Sequence, residues 1–229
     1  MTGVTTLGLI GSGHIGSTVA RLAVAAGYDV VLSNSRGPDT LTDLVAELGP
    51  RARAATAEEA AQAGDIVVVS IPVKNFLAVP PAPLAGKVVI DTGNYYPARD
   101  GEIAELSSGT LTTTELVARH LSEARVVKGF NNIYYRHLAE LARPAGAGDR
   151  SAIVIAGDDQ DAKKSAAEFL DALGYDTVDA GSLAESWRFE PGTPAYGLPY
   201  TGGAEDFMTA PGHPTGTEPL REALAAAQR

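Results

Sequence analysis

The glycine-rich turn that follows the first apolar run constrains this chain more than any other stretch. Leu7-Gly8-Leu9-Ile10 runs into Gly11, Gly13 and Gly16, spaced G-x-G-x-x-G, and Ile15, Val19, Leu22 and Ala26 then recur at helical intervals. A strand–turn–helix context of this kind separates a dinucleotide-binding fingerprint from a chance glycine pattern. In such a turn Gly11 permits a tight reversal, Gly13 removes a side chain where a pyrophosphate must approach, and Gly16 lets helix and strand pack closely. The helix N-terminus presents free N–H groups and the positive end of its dipole to the phosphates. Taken alone, the motif fits a purely structural turn as well, so the rest of the chain decides.

Strand-like and helix-like segments alternate as far as about Asp179. Strands are expected at Tyr28–Ser33, Ala52–Ala55, Asp65–Pro72, Lys87–Asp91, Arg125–Phe130, Ser151–Gly157 and Asp176–Val178, after the first at Leu7–Ile10. Between them lie a helix with Leu41, Leu44, Val45 and Leu48 on one face, and one containing Leu138 and Leu141. Asp158-Asp159 caps another, with Ala162, Ala166, Phe169, Leu170 and Leu173 on its apolar face. Thr56 with Glu59, and Thr112 with Glu115, have capping-box spacing. Continuous β-branched runs indicate strands buried on both faces. The expected fold class is therefore α/β: a Rossmann-type doubly wound, mostly parallel sheet. Residues 1–180 form this dinucleotide-binding domain. Residues 181–229, crowded with prolines and glycines, form a short irregular extension that completes a substrate pocket or a dimer interface; the alternative is a solvated tail.

Charge and residue inventory exclude several functions. The formal charge of −10 over 229 residues argues against nucleic acid or an anionic membrane as partner. The chain has no cysteine, so thiolate chemistry and cysteine metal sites are ruled out. His14, His120, His137 and His213 lack metal-ligand spacing, so no metal is expected; His14 is placed beside a cofactor by the glycine turn, and the others read as surface or packing residues. No secretory leader pattern or membrane-length apolar run occurs, and a cytoplasmic location is expected.

Ligands of such sheets lie outside the carboxyl ends of the strands. At the end of the second strand an NAD site carries a carboxylate for the ribose hydroxyls, whereas this chain has Asn34-Ser35-Arg36. A carboxylate there would repel a 2′-phosphate, and a guanidinium with a hydroxyl holds one, so NADP(H) is the expected cofactor. Ser70-Ile71-Pro72-Val73 ends the fourth strand in a position to pass under that cofactor. Asn94-Tyr95-Tyr96 and Asn131-Asn132-Ile133-Tyr134-Tyr135, after the fifth and sixth strands, offer amides and hydroxyls to orient a nicotinamide and a flat second ring. Asn94, Tyr95, Asn131 and Asn132 are the candidate catalytic residues. Asparagines also make turns and tyrosines also pack, so each single residue has a bland alternative.

Ile10-Gly11-Ser12-Gly13-His14-Ile15-Gly16, Ser35-Arg36, Ser70-Ile71-Pro72 and Val126-Val127-Lys128-Gly129-Phe130-Asn131 together resemble the coenzyme F-420-dependent NADP oxidoreductase family over roughly residues 5–180. The resemblance implies hydride passage between NADP(H) and a 5-deazaflavin, coenzyme F-420, with dimers as the working unit. It implies that Ser12, Ser35 and Arg36 hold phosphates and that Ile71 and Pro72 lie beside the nicotinamide. Lys74, Lys128, Arg136 and Arg188 are the basic residues at hand for an anionic deazaflavin tail. One alternative is direct reduction of a small carbonyl or imine, with Tyr95, Tyr96, Tyr134 or Lys128 as proton donor. Another is an NADPH-binding sensor without catalysis.

Overall fold

The computed structural model describes residues 5–229. Eight strands form one sheet in the order β3-β2-β1-β4-β5-β6-β7-β8. The first half alternates β1 (Thr6–Ile10), α1 (His14–Ala25), β2 (Asp29–Ser33), α2 (Thr42–Leu48), β3 (Ala52–Ala54), α3 (Ala57–Ala63) and β4 (Ile66–Val69). Then come β5 (Val88–Asp91), the single turns α4 (Pro97–Asp100) and α5 (Ala104–Ser107), α6 (Thr113–His120) and β6 (Arg125–Lys128). The chain ends with α7 (Tyr135–Glu140), β7 (Ala152–Gly157), α8 (Gln160–Ala172), β8 (Asp176–Asp179) and α9 (Thr217–Ala225).

The first six strands are parallel to their neighbours, and β1 sits between β2 and β4. The order of winding reverses at this pair, and the crevice outside its carboxyl ends is where such sheets bind ligands. β7 breaks the pattern by pairing antiparallel to β6, through Val127 with Gly157 and Lys128 with Ala156. An antiparallel neighbour needs no crossover helix, and the β6–β7 connection carries only the short α7. β8 then pairs parallel to β7.

Every strand expected from the sequence forms, with differences at the ends. β6 stops at Lys128 because Phe130 adopts φ 60°, a left-handed conformation that removes it from any ladder. β4 stops at Val69, and a 3-10 turn over Val73–Ala78 follows Pro72. The helix carrying Leu41 begins as a 3-10 turn at Pro38, and Leu44 and Val45 are only half-buried. Ala26, expected on the inner face of α1, is its exposed cap; Val19, Ala20 and Ala23 form the buried face. Both capping boxes form.

Residues 181–229 pack on the core. Leu183, Phe189, Ala195, Tyr200, Leu220 and Leu224 are all buried, and α9 lies against β7 and β8. The Tyr200 hydroxyl donates to the Ala152 carbonyl at 2.8 Å. His120 and His137 are packing residues whose Nε2 atoms meet the carbonyls of Val79 and Ala210.

Candidate active site

The site begins at the turn between β1 and α1. Gly11 has φ 102°, and a Cβ there would lie 2.2 Å from the Ser70 carbonyl oxygen. A Cβ on Gly16 would lie 2.0 Å from the Gly11 carbonyl oxygen, so turn, helix and β4 are in direct backbone contact. Gly13 differs, because a Cβ added there meets nothing within 4 Å. A side chain at Gly13 would project into the crevice itself. α1 has no side-chain cap and no acidic residue in its first turn, which leaves its N–H groups open to an anion.

A groove of about 620 Å³ runs from this turn between Ser33–Arg36 on one side and Ile71, Pro72, Asn75 and Val79 on the other. The sequence places Ser12, Asn34, Ser35 and Arg36 together, and the structure gives them different tasks. Asn34 Oδ1 accepts from the Arg36 amide at 2.9 Å and its Nδ2 donates to Thr40 Oγ1 at 2.8 Å, so it closes the turn. The Ser12 hydroxyl donates to the Ser33 carbonyl at 2.9 Å, so its proton is engaged within the fold, and the residue lines the groove. Ser35 and Arg36 side chains have no partner among the described residues; the guanidinium is an unpaired cation at the groove wall. A phosphate monoester fits that wall, and the open cradle at Gly13 fits a pyrophosphate.

A second cavity of about 260 Å³ joins the first through Gly13, Ser70, Ile71 and Pro72, which line both. Its remaining walls come from the loops after β5 and β6, the start of α1, and the C-terminal extension. Tyr96, Tyr134, Tyr135, Tyr196 and Phe207 make it aromatic. His14 stacks on Tyr135 with centroids 4.4 Å apart and planes at 14°. Phe207 packs edge-on against both Tyr134 and Tyr196.

Of the four expected catalytic residues, Asn94, Asn131 and Asn132 line this cavity and Tyr95 does not. The Tyr95 hydroxyl meets the Gly101 carbonyl, Ser107 Oγ and the Ile103 amide, so it ties down the α4–α5 loop and is removed from the site. Asn132 is fully buried; its Nδ2 donates to the Ala195 carbonyl and the Tyr200 hydroxyl, which makes it an anchor for the extension. Asn131 Nδ2 donates to the Phe189 carbonyl at 2.8 Å and to Asn94 Oδ1 at 3.2 Å. Two acceptors fix the amide's orientation, and its Oδ1 is left buried without a partner. The Oδ1 of Asn132 is buried without a partner in the same way. Val73, expected beside the cofactor, is buried and lines neither cavity. Ile15 lines the second cavity.

Lys128 is also removed from the reacting space. It is fully buried, and its Nζ donates to the Gly93 carbonyl at 2.8 Å, Thr114 Oγ1 at 3.1 Å and Glu190 Oε1 at 3.1 Å. Asp91 lies in the same cluster, accepting from Thr114 Oγ1 at 2.7 Å and the Gly93 amide at 3.1 Å. Burial pushes its carboxyl up, against the opposing pull of Lys128. The cluster braces the Gly93–Asn94 floor of the cavity. Lys74 donates to the Arg99 carbonyl and Arg188 to the Leu224 carbonyl, and neither lines the cavity. Arg136 Nε donates to the Tyr135 hydroxyl at 3.2 Å.

Tyr196 and Phe207 were invisible as site residues in the sequence, because no spacing connects them to the strand ends. Arg99, whose guanidinium lies 4.8 Å from the Tyr96 ring centroid, was also missed, although it belongs to the loop that follows β5.

The glycine turn, the switch point and the two joined cavities define a Rossmann-type dinucleotide-binding protein. Residues 6–95 match the family described as NADP oxidoreductase, coenzyme F420-dependent. A solved structure of the Sinorhizobium meliloti hypothetical protein SMa0349 is 31% identical with a TM-score of 0.73, covering 84% of this chain and 93% of that one. The match to the coenzyme F420-dependent NADP oxidoreductase family thus covers the N-terminal part of the sheet, over residues 6–95. The chain is 28% identical over 143 residues to the F420-dependent NADP reductase of Methanocaldococcus jannaschii, covering 60% of this chain and 62% of that protein. It is 29% identical over 187 residues to the metalloreductase STEAP3 of Rattus norvegicus, covering 80% of this chain and 35% of the rat protein. The chain thus spans less than two thirds of each of these curated relatives. No helix among the described residues is long and apolar enough to cross a membrane, and no cluster of metal-ligating side chains occurs among them.

Proposed function

We propose that this chain passes hydride between NADP(H) and a flat, conjugated acceptor of the deazaflavin class, coenzyme F-420 or a related small molecule. The observation that carries the reading is the continuity of two unlike spaces: a groove ending at an unpaired Arg36, and an aromatic cavity opening from it past Ile71 and Pro72. In this reading Ser35 and Arg36 hold the 2′-phosphate, and Gly11–Gly16 and the α1 N-terminus hold the pyrophosphate. Bound there, NADPH supplies the hydride. Tyr134, Tyr135, Tyr196 and Phe207 align the acceptor ring and exclude water from it. Alignment of two rings supplies much of the rate in such a transfer. A homodimer belongs to this reading as well.

The test mixes the purified chain with NADPH and oxidised 8-hydroxy-5-deazaflavin and follows the visible absorption of the deazaflavin. Its loss, dependent on the chain and faster with NADPH than NADH, is expected; no loss overturns this acceptor class. A second reading, direct reduction of a small imine or carbonyl, is favoured by the paired hydroxyls of Tyr96 and Tyr196 in the same cavity. Oxidation of NADPH by 2-methyl-1-pyrroline without deazaflavin would establish it.

A further inference from the structure

Two phenols from distant parts of the chain meet in the cavity. Tyr96 follows β5, Tyr196 lies in the C-terminal extension, and their hydroxyls are hydrogen-bonded to each other. Neither hydroxyl has another partner among the described residues. Two phenols carry two protons, and the bond between them uses one. The other is left without a protein acceptor and is available to the cavity that both rings line.

The surroundings suit a group that gives up a proton and recovers it. The Arg99 guanidinium stands over the Tyr96 ring, 4.8 Å from its centroid. It is held there by Asp100, whose carboxylate also accepts from the Tyr96 amide at 3.0 Å, and by its own bond to the Asn94 carbonyl at 2.7 Å. Burial pushes the Tyr196 hydroxyl up, so it keeps its proton until an acceptor takes it. The asparagine amides at the same wall are already committed: Asn94 Nδ2 to the Asn131 carbonyl, Asn131 Nδ2 to Phe189 and Asn94, Asn132 Nδ2 to Ala195 and Tyr200. Tyr96 is half-buried and so has access to water for reprotonation.

We propose that the Tyr96–Tyr196 hydroxyl pair is the proton donor of the reaction, and that the acceptor is a compound whose hydride-accepting carbon belongs to, or is conjugated to, a C=N or C=O group. The proposal rests on the reading that hydride transfer occurs in this cavity. The acceptor carbon gains the hydride with its electron pair from a dihydronicotinamide, and the π pair moves to the acceptor nitrogen or oxygen. That atom takes the proton from the facing hydroxyl. The second hydroxyl gives its proton to the first, and the resulting phenolate beside Arg99 takes one from water. One hydride and one proton are added in total, and the nicotinamide is left oxidised.

The test compares the wild-type chain with Tyr96→Phe, Tyr196→Phe and the double variant, each with its melting temperature and NADPH affinity measured. The probes are NADPH with 8-hydroxy-5-deazaflavin and NADPH with 2-methyl-1-pyrroline. Either single substitution is expected to lower kcat by about 10²–10⁴-fold, with the double variant falling no further because the pair acts as one unit. The wild-type solvent deuterium isotope effect on turnover is expected to change in both variants. A readout without turnover uses NADP⁺ in place of NADPH: the visible band of bound deazaflavin is expected to shift in wild type and to shift less in either variant. Variants that fold and bind NADPH but keep kcat, the isotope effect and the band shift overturn the proton-donor assignment alone. A wild-type chain that reduces neither probe overturns it together with the reading beneath it.

Discussion

Asn94 and Asn131 exchange hydrogen bonds across the ends of β5 and β6. Asn94 Nδ2 donates to the Asn131 carbonyl at 2.8 Å, and Asn131 Nδ2 donates to Asn94 Oδ1 at 3.2 Å. The pair clasps two loops that meet nowhere in sequence, and the Phe189 carbonyl joins it from the extension. Asn131→Asp would set a carboxylate oxygen against two carbonyl-type acceptors. A loss of about 1–3 kcal/mol in urea unfolding is expected, with weaker NADPH binding. Unchanged unfolding would show that the clasp contributes nothing to the fold.

Arg36→Ala removes the one guanidinium at the groove wall that has no partner among the described residues. Since charge-assisted bonds contribute about 1.5–3 kcal/mol, NADPH affinity should fall by roughly 10- to 100-fold while NADH affinity barely changes. Isothermal titration with both nucleotides checks this. Equal weakening of the two would remove Arg36 from phosphate recognition.

The three glycines of the turn should fail in different ways. Gly13→Val places its side chain in open crevice, so the variant should melt close to wild type and lose NADPH binding. Gly11→Ala meets the Ser70 carbonyl in a left-handed backbone conformation and should instead lower the melting temperature by several degrees. Thermal melts with and without NADPH separate the two outcomes.

Asp159 caps α8 by accepting from the Ala162 amide at 2.9 Å, and both its oxygens face Arg125, at 2.7 and 2.8 Å. Arg125, with the helix amide, holds its carboxyl well below the usual carboxylate range. A depressed folded-state value means that this contribution is full above the unfolded pKa, about 3.9, and is lost as pH falls through the folded value. Asp159→Asn keeps a capping oxygen but loses the pair with Arg125. Its urea stability should be lower at neutral pH and less sensitive to acid below about pH 4 than that of wild type.

Phe189→Ala tests whether the extension belongs to the core. Phe189 is fully buried, and truncating a buried phenylalanine costs about 3–5 kcal/mol. A single cooperative transition at lower denaturant is expected. A wild-type-like core transition preceded by a separate early one would mean that the extension folds independently.

The strands and glycine turn were readable because they depend on short-range rules: β-branched runs, capping boxes, and glycine where backbone must touch backbone. Their ends were less so. Nothing local announces that Phe130 takes a left-handed turn, and that turn ends β6 two residues early. The residues expected at the groove line it, and among them Asn34 and Ser12 use their side chains to hold its shape. Lys128 looked like an available cation, and only the fold brings Glu190 and Thr114 to it. Tyr95 and Tyr96 are indistinguishable in sequence, yet one hydroxyl secures a loop and the other enters the cavity. The aromatic wall from Tyr196 and Phe207 had no signature, since its partners lie about a hundred residues away in the chain.

The extension supplies Glu190 to the buried Lys128, the Phe189 carbonyl to Asn131, and Tyr196 to the cavity wall. The groove at Arg36, by contrast, is built wholly from residues between Ile10 and Val79. The two halves of the site are therefore encoded in separate stretches of the chain, and changes confined to the last fifth of the sequence reach the aromatic cavity while leaving the lining of the groove untouched.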